Sequence, residues 1–255
     1  MKKQPKQWGP AAKLIITGIL VFVAAYSLIV ILGRTLKNLD YFKIREIIAN
    51  ETVPEDFSYL KGRNIFSLDL ARESRYISGL YPGYKKIRLI RILPNQLFVD
   101  FIKRKPLAFI RLNNRYFYVD KEMAVWDPGV IPQDFGMAVI LCSEARSYYS
   151  SKSRTLNIPA LGFALYLVQE SLTNKVLKDY KIKIIDIKNP NQISFLIYSQ
   201  SQGQADLEVK ISQEEAKRKI GILTGLLTQA KNDLANVQYI DLRFKEPVIK
   251  LKNAK

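Results

Sequence analysis

Polar and apolar residues separate into blocks at the start of the chain and alternate after it. Leu14 to Leu32 (LIITGILVFVAAYSLIVIL) runs for nineteen residues without a charge. A helix of that length covers about 28 Å, close to the hydrocarbon thickness of a bilayer. The pattern predicts one membrane-spanning helix over 14–32. A buried core helix fits less well, because the run is apolar on every face and lies directly behind a basic tail. Lys2, Lys3, Lys6 and Lys13 precede it, and only Arg34 and Lys37 follow closely. By the positive-inside rule the tail, 1–13, is then cytoplasmic and the rest of the chain extracytoplasmic. A cleavable signal needs a shorter apolar core followed by small residues. Val23-Ala24-Ala25 would be that site, but it lies inside the run, which favours a retained anchor.

Beyond a linker, 33–40, the periodicity predicts two α+β units. In the first, 41–108, Tyr41–Asn50 alternates through Phe42, Ile44 and Ile47 as a half-buried strand does. Pro54–Leu60 predicts one or two helical turns. Residues 61–69 form a turn with Asp69 as a helix N-cap. A helix carrying Leu70, Ile77 and Leu80 follows, broken at Gly79 and Pro82-Gly83. Tyr84–Leu93 and Gln96–Arg104 then read as a hairpin about Pro94-Asn95. The order is β-α-α-β-β.

The second unit, 109–251, is β-rich with two helices, followed by a tail, 252–255. Lys181–Ile187, Ile193–Tyr198 and Ala205–Ile211 read as strands separated by turns at Asn189-Pro190-Asn191 and Gln202-Gly203-Gln204. Ile158–Leu172 is a helix with Leu161, Leu165, Val168 and Leu172 on one face. Ser212-Gln213-Glu214-Glu215 has the spacing of a capping box opening a helix through Ala216, Ile220, Leu223 and Leu227. Pro128–Ser153 has little periodicity and reads as loop.

Composition narrows the chemistry. The chain has no histidine and one cysteine, Cys142. Serine–histidine triads, Cys–His dyads, histidine-ligated zinc or haem and intramolecular disulfides are therefore excluded by residue supply. No glycine pattern cradles a phosphate. Asp120, Glu122 and Asp127 lie close in sequence, but Asp120-Lys121-Glu122 separates two strand-like runs and reads as a polar turn. A Ser–Lys pair is chemically possible, yet no spacing singles one out. No catalytic residue, cofactor site or metal ligand is assigned, and the chain reads as a binding protein rather than an enzyme.

The net charge is +17, from 40 basic and 23 acidic residues. Six of the basic residues lie in the first 37 positions, and the remaining surplus is spread thinly. The densest stretch, Lys85–Arg91, alternates with Ile87, Leu89 and Ile90 like one face of a strand. Beyond a membrane the available polyanions are lipid headgroups and wall polymers rather than nucleic acid, and a lysine-rich surface also arises from genome composition alone.

At the C-terminus, Val237–Arg243 and Val248–Leu251 read as two strands joined by a bend. A last strand commonly ends at a sheet edge, where unpaired backbone groups can receive a strand from another chain. An ordinary edge guarded by Lys245, Lys250 and Lys252 reads equally well from these residues.

Several spaced motifs resemble the FtsQ/DivIB family of bacterial cell-division proteins and its POTRA domain. They are Gly62-x-Asn64-Ile65-Phe66-x-Leu68-Asp69, Pro94-Asn95-x-Leu97-x-Val99, Lys105-Pro106-x-Ala108, Tyr116–Asp120 and Tyr239-Ile240-Asp241-Leu242-Arg243-Phe244. Lys103 stands where the family often has an acid, and Glu122 where it often has a turn glycine. The resemblance implies a non-catalytic, single-span division-site scaffold without cofactor. It implies docking of small FtsB- and FtsL-type coiled-coil partners at Arg243 and Phe244 and along the edge formed by Val248, Ile249 and Leu251. Two other readings remain: a POTRA-bearing transport or assembly component, and a basic module that grips an anionic envelope surface.

Overall fold

The computed structural model describes residues 10–52, 57–129, 136–143, 149–150, 155–189, 191–199, 206–229 and 234–252. Most of the basic tail, the residue Pro54, the Pro190 position and the turn Gln202-Gly203-Gln204 lie outside the described residues, as does much of 128–153. The protein is α+β and divides into two compact units, Met1–Lys103 and Arg104–Lys255.

The first unit opens with α1, Pro10–Asn38. Within Leu14–Asn38 its most apolar eighteen residues reach a mean hydropathy of 2.8, and none of them is buried against the protein. An apolar run with no protein packed on it marks α1 as the membrane-anchoring helix, and the helix continues six residues past Leu32. The chain then differs from the predicted strand at Tyr41. Asp40–Phe42 is a single 3₁₀ turn, and the strand β1 covers only Glu46–Ala49. Phe42 and Lys43 donate their N–H groups back to Leu39 and Asp40, closing the turn that leaves the helix. Ile44 is buried and held on both sides, its N–H to the Arg63 carbonyl at 2.9 Å and its carbonyl accepting from Gly62 at 2.8 Å.

Of the helix expected over 54–60, the described residues form one 3₁₀ turn, Phe57–Leu60. Residues three apart eclipse in that geometry, which places Phe57 and Leu60 together in the core. Asp69 is the N-cap of α2, Leu70–Leu80, accepting from the Arg72 N–H at 3.0 Å. The helix passes through Gly79 and stops at Tyr81. Ile77 is fully buried, whereas Leu80, in the last turn, is 40% exposed rather than core. The hairpin is β2, Tyr84–Ile92, and β3, Gln96–Lys103, antiparallel, with β1 added parallel to β3 on its other side. The sheet order is therefore β1-β3-β2.

In the second unit the described strands include one nine-stranded sheet. Its members are β4 (Ala108–Leu112), β5 (Arg115–Val119), β6 (Val125–Trp126), β7 (Val139–Leu141), β10 (Tyr180–Asn189), β11 (Gln192–Ser199), β12 (Leu207–Ile211), β13 (Val237–Asp241) and β14 (Val248–Leu251). A separate small pair is β8, Tyr149–Ser150, and β9, Thr155–Leu156. The sheet order is β14-β13-β12-β11-β10-β7-β4-β5-β6. The segment expected to be loop thus holds a central strand. β7 lies parallel between β4 and β10, and three apolar residues suffice because neighbours on both sides supply the pairing.

Two helices, α3 (Pro159–Thr173) and α4 (Ala216–Gln229), share one core with the inward residues of the sheet. In α3, Leu161, Leu165 and Val168 are buried as their spacing predicts. Leu172 is 66% exposed. The last turn instead buries Ser171, whose hydroxyl donates to the Val168 carbonyl. The capping box at 212–215 does not open α4. The helix begins at Ala216, and Glu215 before it has φ +51°. Ser212 instead accepts a hydrogen bond from the ammonium of Lys219, a buried lysine one turn into the helix. α4 is the crossover that sets β13 parallel to β12, and this delivers the C-terminal strand to the sheet margin.

Candidate partner-docking site

The terminal segment is built outward from β13. Ile240 is buried, and the Leu242 N–H still bonds β12 through the Lys210 carbonyl at 2.8 Å. The chain then turns, and Asp241 controls the turn. Its carboxylate, 4% exposed, accepts the Arg243 backbone N–H at 3.0 Å and the Arg243 guanidinium at 2.6 to 3.1 Å. Burial works to raise the Asp241 pKa. The hydrogen bonds from Arg243, then the charges of Arg243 and Lys210, overcome it and hold the carboxyl below its ordinary value. Arg243 in turn lies 5.6 Å from the centre of the Phe244 ring, which is 59% exposed. The bend residues 243–246 thus project one aromatic ring on a charged, hydrogen-bonded base.

The chain returns as β14, antiparallel to β13, with Asp241 opposite Val248, Ile240 opposite Ile249 and Tyr239 opposite Lys250. Among the described residues no strand lies beyond it in the sheet order. All four of its residues are exposed, Val248 by 47%, Ile249 by 43% and Leu251 by 50%. The Lys252 N–H points inward to the Asn236 carbonyl at 2.8 Å. Backbone groups alternate along a strand, so Lys250 and Val248 also face β13. The N–H and C=O groups of Ile249 and Leu251 face out from the sheet. Their side chains share the face on which Ile240 is buried, while Val248 and Lys250 share the other with Tyr239. That tyrosine has the Lys210 ammonium 4.4 Å and the Lys250 ammonium 5.8 Å from its ring centre.

The five residues expected at a partner site are therefore brought together on one bend and one open strand. They do not have one role. Val248, Ile249 and Leu251 offer surface and backbone, and Phe244 offers a ring. Arg243 is engaged with Asp241 and positions the bend. Asp241 was not singled out from the sequence; the Asp-x-Arg spacing at the end of a strand is the signal that points to it.

The other carboxylates have local structural partners. Asp120 is buried and accepts from the N–H groups of Glu122 and Ala124 and from Arg104 at 2.6 Å. Asp127 accepts from the Gly129 N–H. The turn predicted at 120–122 is present, with Met123 adopting φ +60°. Cys142, the one cysteine, is half-buried and outside any disulfide. Lys103, the departure from the family pattern, is paired with Glu51 at 2.8 Å. Among the described residues, no group of three or more His, Cys, Asp and Glu is arranged to hold a metal.

Fold and site define a membrane-anchored α+β protein that ends on an open sheet edge. No family model matches the chain. It is 25% identical to the cell division protein FtsQ of Syntrophotalea carbinolica over 249 residues, 95% of this chain and 83% of the relative. It is 24% identical to the FtsQ of Geotalea daltonii over 262 residues, 98% of this chain and 87% of that one. A third relative is the cell division protein DivIB of Clostridium acetobutylicum, 24% identical over 63% of each chain. Similarity over nearly the whole length, on a fold of this kind, is consistent with a cell division protein of the FtsQ/DivIB type.

Proposed function

We propose that this chain is a non-catalytic scaffold of the division septum, with its N-terminus in the cytoplasm and both folded units beyond the membrane. It holds division partners by accepting a strand along β14. The observation that carries this reading is the edge itself: a terminal strand exposed on both faces, with the backbone of Ile249 and Leu251 turned outward. Strand addition gives affinity through main-chain hydrogen bonds and selectivity through alternate side chains. Phe244 beside the edge is an aromatic anchor, the residue type that dominates binding energy in such interfaces. The basic surplus steers encounter with acidic partners. The resemblance at 239–244 points to partners of the FtsB and FtsL kind, and the motifs at 62–69 and 94–99 to a POTRA-type first unit.

The test is affinity capture of such a partner by the full chain carrying Phe244→Ala or Ile249→Pro. Proline at 249 removes an outward N–H and leaves the inward pairing to β13 in place. Each variant should weaken binding by about tenfold or more, the loss of roughly 1.4 kcal/mol or above expected for a hot-spot contact. Unchanged affinity in both variants contradicts the reading.

A further inference from the structure

We infer that the anchor-proximal end of the first unit rests against the outer face of the headgroup layer of the bilayer its own helix crosses, with Leu39, Tyr41 and Leu93 as the side chains that reach into that layer. The inference depends on α1 being an anchor and not on the docking role of β14.

The argument begins with height. The uncharged run ends at Leu32, so at 1.5 Å per residue the Leu36 carbonyl lies about 6 Å above the hydrocarbon and Asn38 about 9 Å. A headgroup region is about 5–8 Å deep. Asn64, itself 8% exposed, ties the unit to that level. Its side-chain amide donates to the Leu36 carbonyl at 2.9 Å and the Leu39 carbonyl at 3.3 Å. Its side-chain oxygen accepts the Phe66 N–H at 2.9 Å. There is no flexible spacer between anchor and unit at this contact. The Leu36 carbonyl lies within that layer and Asn38 just past it, so the body of the unit starts at the outer face of the headgroups, within side-chain reach of them.

The same end carries what a lipid interface accommodates. β1 and β3 run parallel from Glu46 opposite Gln96, and the Arg45 N–H bonds the Asn95 carbonyl at 2.9 Å. The hairpin tip at 93–95 therefore lies at the end of the sheet where the chain arrives from α1. Leu93 at that tip is 58% exposed, Tyr41 61% and Leu39 44%. Tyrosine places an apolar ring and a polar tip across such a boundary. Arg34, Lys37, Arg45 and Lys61 are exposed around them. The acids here are Asp40, paired with Lys43 at 2.9 Å, and Glu46, which accepts from Gln96. Positive charge within a Debye length of anionic lipid adds attraction.

The experiment uses the full chain with Cys142→Ser in nanodiscs containing phosphatidylglycerol, with a nitroxide at Leu93→Cys or at Lys86→Cys. Lys86 is in β2, about 20 Å from the tip by strand rise. The Leu93 nitroxide should collide with a water-soluble nickel chelate several-fold less often than the Lys86 nitroxide, and with oxygen more often. A Tyr41→Cys label gives a second reading should the hairpin variant fold poorly, and should match Leu93. Equal nickel accessibility at the tip and at Lys86 overturns the inference.

Discussion

Arg243 returns to the carboxylate of Asp241, two residues earlier, with both its guanidinium and its own backbone N–H. One carboxylate thereby ends β13, starts the bend and holds the base under Phe244.

That pair predicts a pH dependence. Its folded pKa is depressed, so the stability that Asp241 contributes is fully present above the unfolded value of about 3.9 and is lost as pH falls through the folded value. Asp241→Asn should destabilise the second unit by about 1–3 kcal/mol at pH 7, as expected for hydrogen bonds to a charged group. The difference from wild type should shrink below about pH 4. Urea midpoints across pH 3–7 check this; a difference that is constant across that range contradicts it.

Asn64 yields a second prediction, about the junction with the anchor. Asn64→Asp keeps the acceptor for Phe66 but loses the donor to Leu36 and Leu39, and it sets a charge among carbonyl oxygens. It should cost as much as Asn64→Ala or more, about 2 kcal/mol by the penalty for unsatisfied buried groups. Thermal melts of the full chain in micelles distinguish the pair: an Asp variant as stable as wild type shows that the donor bonds are unimportant.

Lys219 is the reverse case. Its ammonium is buried with the Ser212 hydroxyl as partner, and a buried charge is weak ground for stability. Lys219→Met retains the apolar stem and should leave the urea midpoint unchanged or raise it. Lys219→Ala, which also removes stem packing, should lower stability by about 1–2 kcal/mol. A midpoint that falls equally in both variants would locate the contribution in the charge instead.

Much of this architecture is legible before any coordinates. The uncharged run, the hairpin about Pro94-Asn95 and the buried stripe of α4 follow from local period alone. The second unit is harder, because its centre is set by pairing between distant segments. β7 has three apolar residues and no period of its own; only β4 and β10 on either side make it a strand. The spacing at Ser212–Glu215 is right for a cap, but the hydroxyl finds Lys219 and the helix opens four residues later. Leu172 fits its helical face by angle and still clears the core. At the candidate site the sequence leaves an open edge and a lysine-guarded one equally readable, and Phe244 comes only from the resemblance at 239–244, whereas the Asp241–Arg243 clamp depends on how the bend folds back.

The docking role of β14 is tested most directly by backbone amide hydrogen exchange on the full chain, with and without the soluble segment of an FtsB-type partner. The account predicts that the amides of Ile249 and Leu251, which face outward, gain protection on binding, while those of Val248 and Lys250, already paired with β13, change little. A partner that binds and leaves Ile249 and Leu251 exchanging at their free rates would contradict it.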